Sequence, residues 1–166
     1  IVFPELSITG YSCGDLFAQS LLLNESLNSL KQLMDNTSGL DIISIVGLPF
    51  AYKNTLLNCA AVLHKGKLLG IINKTYIPKE FYEQRWFASS LVHTDTVIDL
   101  FGQRVPLGKN IIFKTPTVNF GIEICEDVWA PIPPSSNLAV AGADIIFNLS
   151  ASNEVIGKHN YLCSLL

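Results

Sequence analysis

Glu5, Lys74 and Cys125 are three residues whose types, taken together, could open an unactivated amide. Each follows a run read as a strand, ending at Phe3, Ile72 and Ile124 respectively. In α/β sheets the carboxyl ends of strands are where ligands and catalytic groups gather. A thiol is mostly protonated at neutral pH, so it needs a nearby base or cation before it can attack. A carboxylate at Glu5 could take the thiol proton and later return it to departing ammonia. An ammonium at Lys74 would favour the thiolate and stabilise a tetrahedral oxyanion, and the backbone N–H of Glu126 is a natural second donor.

Plainer assignments compete at each position. A cysteine in an apolar run is ordinarily a small buried hydrophobe, and Cys13, Cys59 and Cys163 are read that way. A lysine after a strand is commonly a solvated loop residue, and a glutamate after proline a cap or surface charge. Cys125 stands apart because Glu123-Ile-Cys125-Glu126-Asp127 sets three carboxylates around one thiol, an odd sequence for inert core.

The elements that must position these groups follow from periodicity. Residues 1–3 read as a strand end and 4–14 as a loop. Asp15 reads as the N-cap of a helix over 16–34, with apolar residues recurring at helical spacing. Residues 42–48, β-branched and almost wholly apolar, predict a strand covered on both faces. Segments 56–63 and 68–72 flank His64-Lys-Gly-Lys67 and predict a hairpin. Residues 75–95 form a long segment of the kind that is usually functional. Further strands are expected at 97–100, 111–113, 118–124 and 144–149, a short helix near 136–141 and another from about 156. The pattern indicates one α/β domain over 1–166 with a mixed sheet and helices covering both faces.

Composition narrows the function classes. A chain of 166 residues, 49% apolar, can bury one sizeable core. A net charge of −3 and scattered Lys and Arg argue against a nucleic-acid surface. Mean hydropathy is +0.36, yet no run of about 18 uncharged apolar residues occurs, so no membrane span is expected. Four cysteines without a CxxC pair suit reduced thiols in the cytoplasm. The opening Ile1-Val-Phe-Pro4 and the closing amphipathic stretch read as cuts within a strand and a helix, so a fragment of a longer chain is expected.

Phe3-Pro-Glu5-Leu, Asn73-Lys74-Thr-Tyr-Ile-Pro78 and Glu123-Ile-Cys125-Glu-Asp-Val-Trp129 resemble the three signature blocks of the nitrilase (carbon–nitrogen hydrolase) superfamily, in its order of Glu, Lys, Cys. The finer resemblance is to the glutaminase domain of glutamine-dependent NAD+ synthetases. It rests on Glu5 to Leu16, Phe81-Tyr-Glu83-Gln-Arg85-Trp-Phe87, Val105 to Gly108, Glu126 to Pro134 and Asn148 to Lys158. It covers essentially the whole chain. It implies a four-layer αββα sandwich, incomplete at both ends, and a thioester route in which glutamine loses ammonia. It further implies that a synthetase domain of the same full-length chain, using ATP and Mg2+, amidates deamido-NAD+ with that ammonia. This domain itself would need no metal or cofactor, and the family implies homo-oligomers.

Position by position, the resemblance makes Glu5 the general base, Lys74 the oxyanion stabiliser and Cys125 the nucleophile. Glu83 resembles a second acid near the lysine, with an ion pair to Arg85 as the competing assignment. Glu126, Ser152 and Lys158 fall where this branch holds the α-amino and α-carboxylate groups of glutamine, while Tyr11 and Phe81 would line the pocket. Ser150 is read as a strand-end hydrogen bonder. The stretch between Pro78 and Phe81 is short, which removes one expected contact to glutamine. Two alternatives stand: a free-standing amidase acting on another amide, and an inactive piece serving only in assembly.

Overall fold

The structure is a computed structural model and describes residues 1–79 and 82–165. After helix α1 (Ser20–Asn36), strands β1 (Ile43–Tyr52), β2 (Thr55–His64) and β3 (Lys67–Asn73) form an antiparallel meander. The hairpin of β4 (Thr96–Leu100) and β5 (Gln103–Gly108) joins it through a parallel β3–β5 pairing, giving the order β1-β2-β3-β5-β4. A second sheet holds β6 (Phe113–Lys114), β7 (Asn119–Ile124) and β8 (Ile145–Leu149), with β7 and β8 parallel. Helices α2 (Pro134–Val140) and α3 (Lys158–Leu165) complete the described elements.

Side-chain alternation along the strands builds the layers. Val46, Leu48 and Phe50 of β1, with Leu57, Cys59, Ala61 and Leu63 of β2, pack with Leu30 and Met34 of α1. Their neighbours Ile45, Ala60, Val62 and Ile72 turn the other way, onto Phe120, Ile122, Ile124 and Leu149 of the second sheet. A Cβ built at Gly121 would lie 2.8 Å from Leu138 Cδ1, so α2 sits tight on the far face of β7. The layers therefore run helix, sheet, sheet, helix, the expected αββα arrangement. Among the described residues no helix is long and apolar enough to cross a membrane.

Several local expectations are corrected. The helix expected over 16–34 is divided: Gly14–Ala18 is a 3-10 turn, Gln19 is extended, and α1 starts at Ser20. Asp15 caps nothing, because its carboxylate is taken by Arg85 Nε at 2.7 Å and Trp86 Nε1 at 2.9 Å. At the first residues only an isolated parallel bridge, Val2 to Ile45, is present. β1 continues past Leu48 through Pro49; as the outermost strand of its sheet it tolerates the missing N–H. β5 was not read as a strand, and the strand expected at 111–113 shrinks to two residues. Cys163, read as a buried hydrophobe, is exposed on α3, whereas Cys59 is buried and Cys13 half-buried.

Candidate active site

Glu5 reaches the interior because the loop carrying it lies directly on β1. Gly47 makes this possible: a Cβ there would fall 2.3 Å from Leu6 N and 2.6 Å from Pro4 O. The Gly47 N–H donates to Ser7 Oγ at 3.1 Å, and its carbonyl accepts from Ile8 N at 3.0 Å. Gly→Ala in a strand interior ordinarily stabilises. Here Gly47→Ala is expected to destabilise by about 1–3 kcal/mol, since backbone must move. Chemical denaturation reads this, and unchanged or raised stability would show that the loop lifts off freely.

Lys74, the first residue after β3, stands between two carboxylates. Its Nζ donates to Glu5 Oε1 at 2.6 Å and to Glu83 Oε1 and Oε2 at 3.0 Å each. Lys74 is 1% exposed, and Glu5 and Glu83 are each 2% exposed. Burial works against the ammonium, but the charges of Glu5, Glu83 and Cys125 outweigh it and hold the Lys74 pKa above its ordinary value. Glu5 Oε1 also accepts from Asn58 Nδ2 at 2.8 Å, and Oε2 from Ala151 N at 3.1 Å. Glu83 is further held by Tyr11, whose hydroxyl donates to Oε1 at 2.5 Å. Burial, then the hydrogen bond and charge of Glu83, push the Tyr11 phenol well above its usual range. The competing pairing of Glu83 with Arg85 does not form, because Arg85 belongs to Asp15.

Cys125 begins a 3-10 turn, Cys125–Trp129, directly at the end of β7. Its φ of 48° is left-handed, a conformation that costs a non-glycine residue roughly 1–2 kcal/mol. Leu6 beside Glu5 and Tyr82 beside Glu83 share it, at φ 52° and 59°. Strain gathered at three adjoining loops is the pattern of a site whose surroundings over-determine it. Ser150 Oγ donates to Cys125 Sγ at 3.4 Å. Burial and the charge of Glu5 push the thiol up to about 11, while Lys74 and Ser150 pull it down.

Asp127, noticed in the sequence only as one of three acids, ties the two halves of the site together. Its Oδ1 accepts from Thr75 N at 3.0 Å and Tyr76 N at 2.7 Å, and its Oδ2 from Ile124 N at 2.9 Å. One carboxylate thus fixes both the residues after Lys74 and the residue before Cys125. Burial pushes Asp127 up to about 7 against these donors. Glu123 faces away, accepting from Ser135 N at 3.0 Å and Asn148 Nδ2 at 3.3 Å.

Two cavities meet at Cys125. The smaller, about 150 Å³, is lined by Tyr11, Pro78, Glu126, Ala151, Ser152 and Asn153. The larger, about 370 Å³, extends past Trp129, Ser150, Ser152 and Lys158. Ser152 borders both cavities. Lys158 Nζ donates to Ser152 Oγ, and to Asn153 O at 2.6 Å, and stands 5.9 Å from the Trp129 ring centre. Phe81 lies outside the described residues. Among the described residues no group of three His, Cys, Asp or Glu side chains could hold a metal ion.

The sequence profile of the family described as Carbon-nitrogen hydrolase matches residues 1–162. The chain belongs to the carbon-nitrogen hydrolase family. The glutamine-dependent NAD(+) synthetase of Mycobacterium tuberculosis is 37% identical over 162 residues, covering 95% of this chain and 24% of that protein. The solved glutamine-dependent NAD(+) synthetase of Cytophaga hutchinsonii superposes with a TM-score of 0.83 at 26% identity, over 99% of this chain and 26% of that one. A nitrilase-superfamily amidase from Nesterenkonia, at 15% identity and a TM-score of 0.68 over 98% of this chain and 56% of that one, shares the fold. The chain spans about a quarter of the length of the curated relatives it matches. Carbon-nitrogen hydrolases of this family are enzymes, and the Glu–Lys–Cys cluster is this chain's candidate machinery.

Proposed function

We propose that this chain hydrolyses the side-chain amide of glutamine through a thioester on Cys125. Glu5 takes the thiol proton as sulfur bonds to the carboxamide carbon, and the carbonyl electron pair moves onto oxygen. Lys74 and the Glu126 N–H stabilise that oxyanion. Collapse breaks the C–N bond, and the proton held by Glu5 leaves with nitrogen as ammonia. Water, deprotonated by Glu5, then attacks the thioester; the thiolate departs and recovers the proton, and glutamate is released. Glu83 keeps Lys74 in place. Tyr11 lines the pocket, while Glu126 meets the α-ammonium and Ser152 with Lys158 the α-carboxylate, because a zwitterion requires one anion and one cation.

The observation that carries this reading is one buried Lys74–Glu5 pair whose charges act on the only thiol that opens onto both cavities among the described residues. The names of the relatives supply the choice of glutamine over other amides. On the same footing, the ammonia serves amidation of deamido-NAD+ by a synthetase domain of the same full-length protein, which uses ATP and Mg2+. No step on residues 1–166, taken as one amidohydrolase unit, is routed through those. A homo-oligomer in the cytoplasm, with neither nucleic acid nor membrane as partner, completes the reading.

6-Diazo-5-oxonorleucine, a glutamine analogue whose diazoketone alkylates a thiol with loss of dinitrogen, tests the assignment on the full-length protein. One cysteine, Cys125, is expected to be labelled, and glutamine to protect it. Labelling elsewhere, or an unlabelled Cys125 that small neutral amide electrophiles still modify, overturns glutamine as the substrate.

A further inference from the structure

Sulfur at Cys125 carries negative charge twice in a thioester cycle, once on attack and once when the second tetrahedral intermediate expels it. The two charged neighbours are both engaged. Lys74 directs N–H groups at Glu5 and Glu83 and, in the reading above, one at the substrate oxyanion, so at sulfur only its charge is felt. Glu5 must carry the thiol proton to nitrogen and so leaves sulfur at the moment its charge develops. Cys125 is half-buried, and a thiolate partly removed from water is costly unless hydrogen-bonded.

The strand register supplies one. β7 and β8 run parallel with Ile124 opposite Leu149, so the residues that follow, Cys125 and Ser150, emerge side by side. Ser150 Oγ lies 3.4 Å from Cys125 Sγ. The strand end around it is tied to the same centre on both sides. Asn148 Nδ2 donates to Cys125 O at 3.4 Å, and Ala151 N donates to Glu5 Oε2 at 3.1 Å. The hydroxyl therefore sits on a short segment held to nucleophile and base together, rather than on a freely moving loop.

We propose that Ser150 is a further catalytic residue, whose hydroxyl donates to the Cys125 sulfur and stabilises the thiolate both as nucleophile and as leaving group. Ser150 keeps its proton throughout, and no bond to it forms or breaks. The proposal deepens the reading above by taking Cys125 as nucleophile, and it holds for any amide substrate.

Alkylation by iodoacetamide isolates the pair from substrate turnover. The protein and its Ser150→Ala, Ser150→Thr and Ser150→Val variants are alkylated over a range of pH, with modification of the Cys125 peptide followed by mass spectrometry. Thr and Val are nearly equal in shape and differ by a hydroxyl. Losing the donor is expected to raise the thiol pKa by about one unit. That removes roughly tenfold of the thiolate while raising its intrinsic nucleophilicity about threefold, a net slowing of about threefold below the midpoint. Ala and Val should show the slowing and the alkaline shift, and Thr should restore both. Matching profiles for Thr and Val, whether fast or slow, overturn the proposal, because a packing role does not distinguish a hydroxyl from a methyl. Failure of the glutamine assignment would leave this result unchanged.

Discussion

Cys125→Ala in the full-length protein is expected to abolish glutamine-driven amidation while synthesis from free ammonium salts continues. The loss is complete because the thioester has no substitute: Cys59 is sealed in the core, Cys163 is exposed on α3, and Cys13 donates its thiol to backbone carbonyls of Thr9 and Gly10. The substitution is also mild for the fold. It removes one sulfur at a cavity edge and relieves none of the hydrogen bonds that hold Lys74, Glu5 and Asp127. Comparing the two nitrogen sources in one assay separates delivery from use. Equal loss with both would reject the proposed division of labour between this chain and a synthetase domain.

Lys74→Ala is expected to cost both catalysis and stability. Removal of a preorganised oxyanion donor lowers turnover by about 10²–10³-fold. Removal of the cation from between two buried carboxylates is expected to cost about 3–5 kcal/mol of stability, because Glu5 and Glu83 are left facing each other without a counter-ion. The double variant Lys74→Ala/Glu83→Gln distinguishes the two losses. It should recover part of the stability, measured by denaturant unfolding, and none of the rate. A near-normal rate in either variant would remove Lys74 from the chemistry.

Lys74 and Cys125 were legible because each directly follows a strand, and strand ends are set by local apolar runs, whereas Glu5 follows only the isolated bridge at Val2. Glu83 was half legible. Its rival partner Arg85 is two residues away, and only the distant Asp15, invisible to local reading, draws Arg85 off. The same contact explains why Asp15 was misread as a cap. Ser150 was recognised as a hydrogen bonder but not by its partner, since the parallel register of β7 with β8 joins segments 25 residues apart. β5 escaped notice because Arg104, Pro106 and Gly108 dilute its apolar pattern. Gly47 left a usable signal: a glycine inside an almost wholly apolar strand marks a place where another backbone approaches closely.

The bond from Ala151 N to Glu5 Oε2 joins residues 146 positions apart. The Glu5–Lys74 contact spans only 69 positions, but the longer closure is the one that seats the strand end beside Cys125 on the base, so a half-collapsed molecule holds an unassembled centre. Contacts so remote in sequence form late, after the loop-closure entropy has been met. Capture of a substrate analogue should therefore switch on with the final cooperative step of folding. Labelling of Cys125 by 6-diazo-5-oxonorleucine, which needs the assembled site, would then serve during refolding as a clock for completion of the native state, lagging behind the recovery of secondary structure.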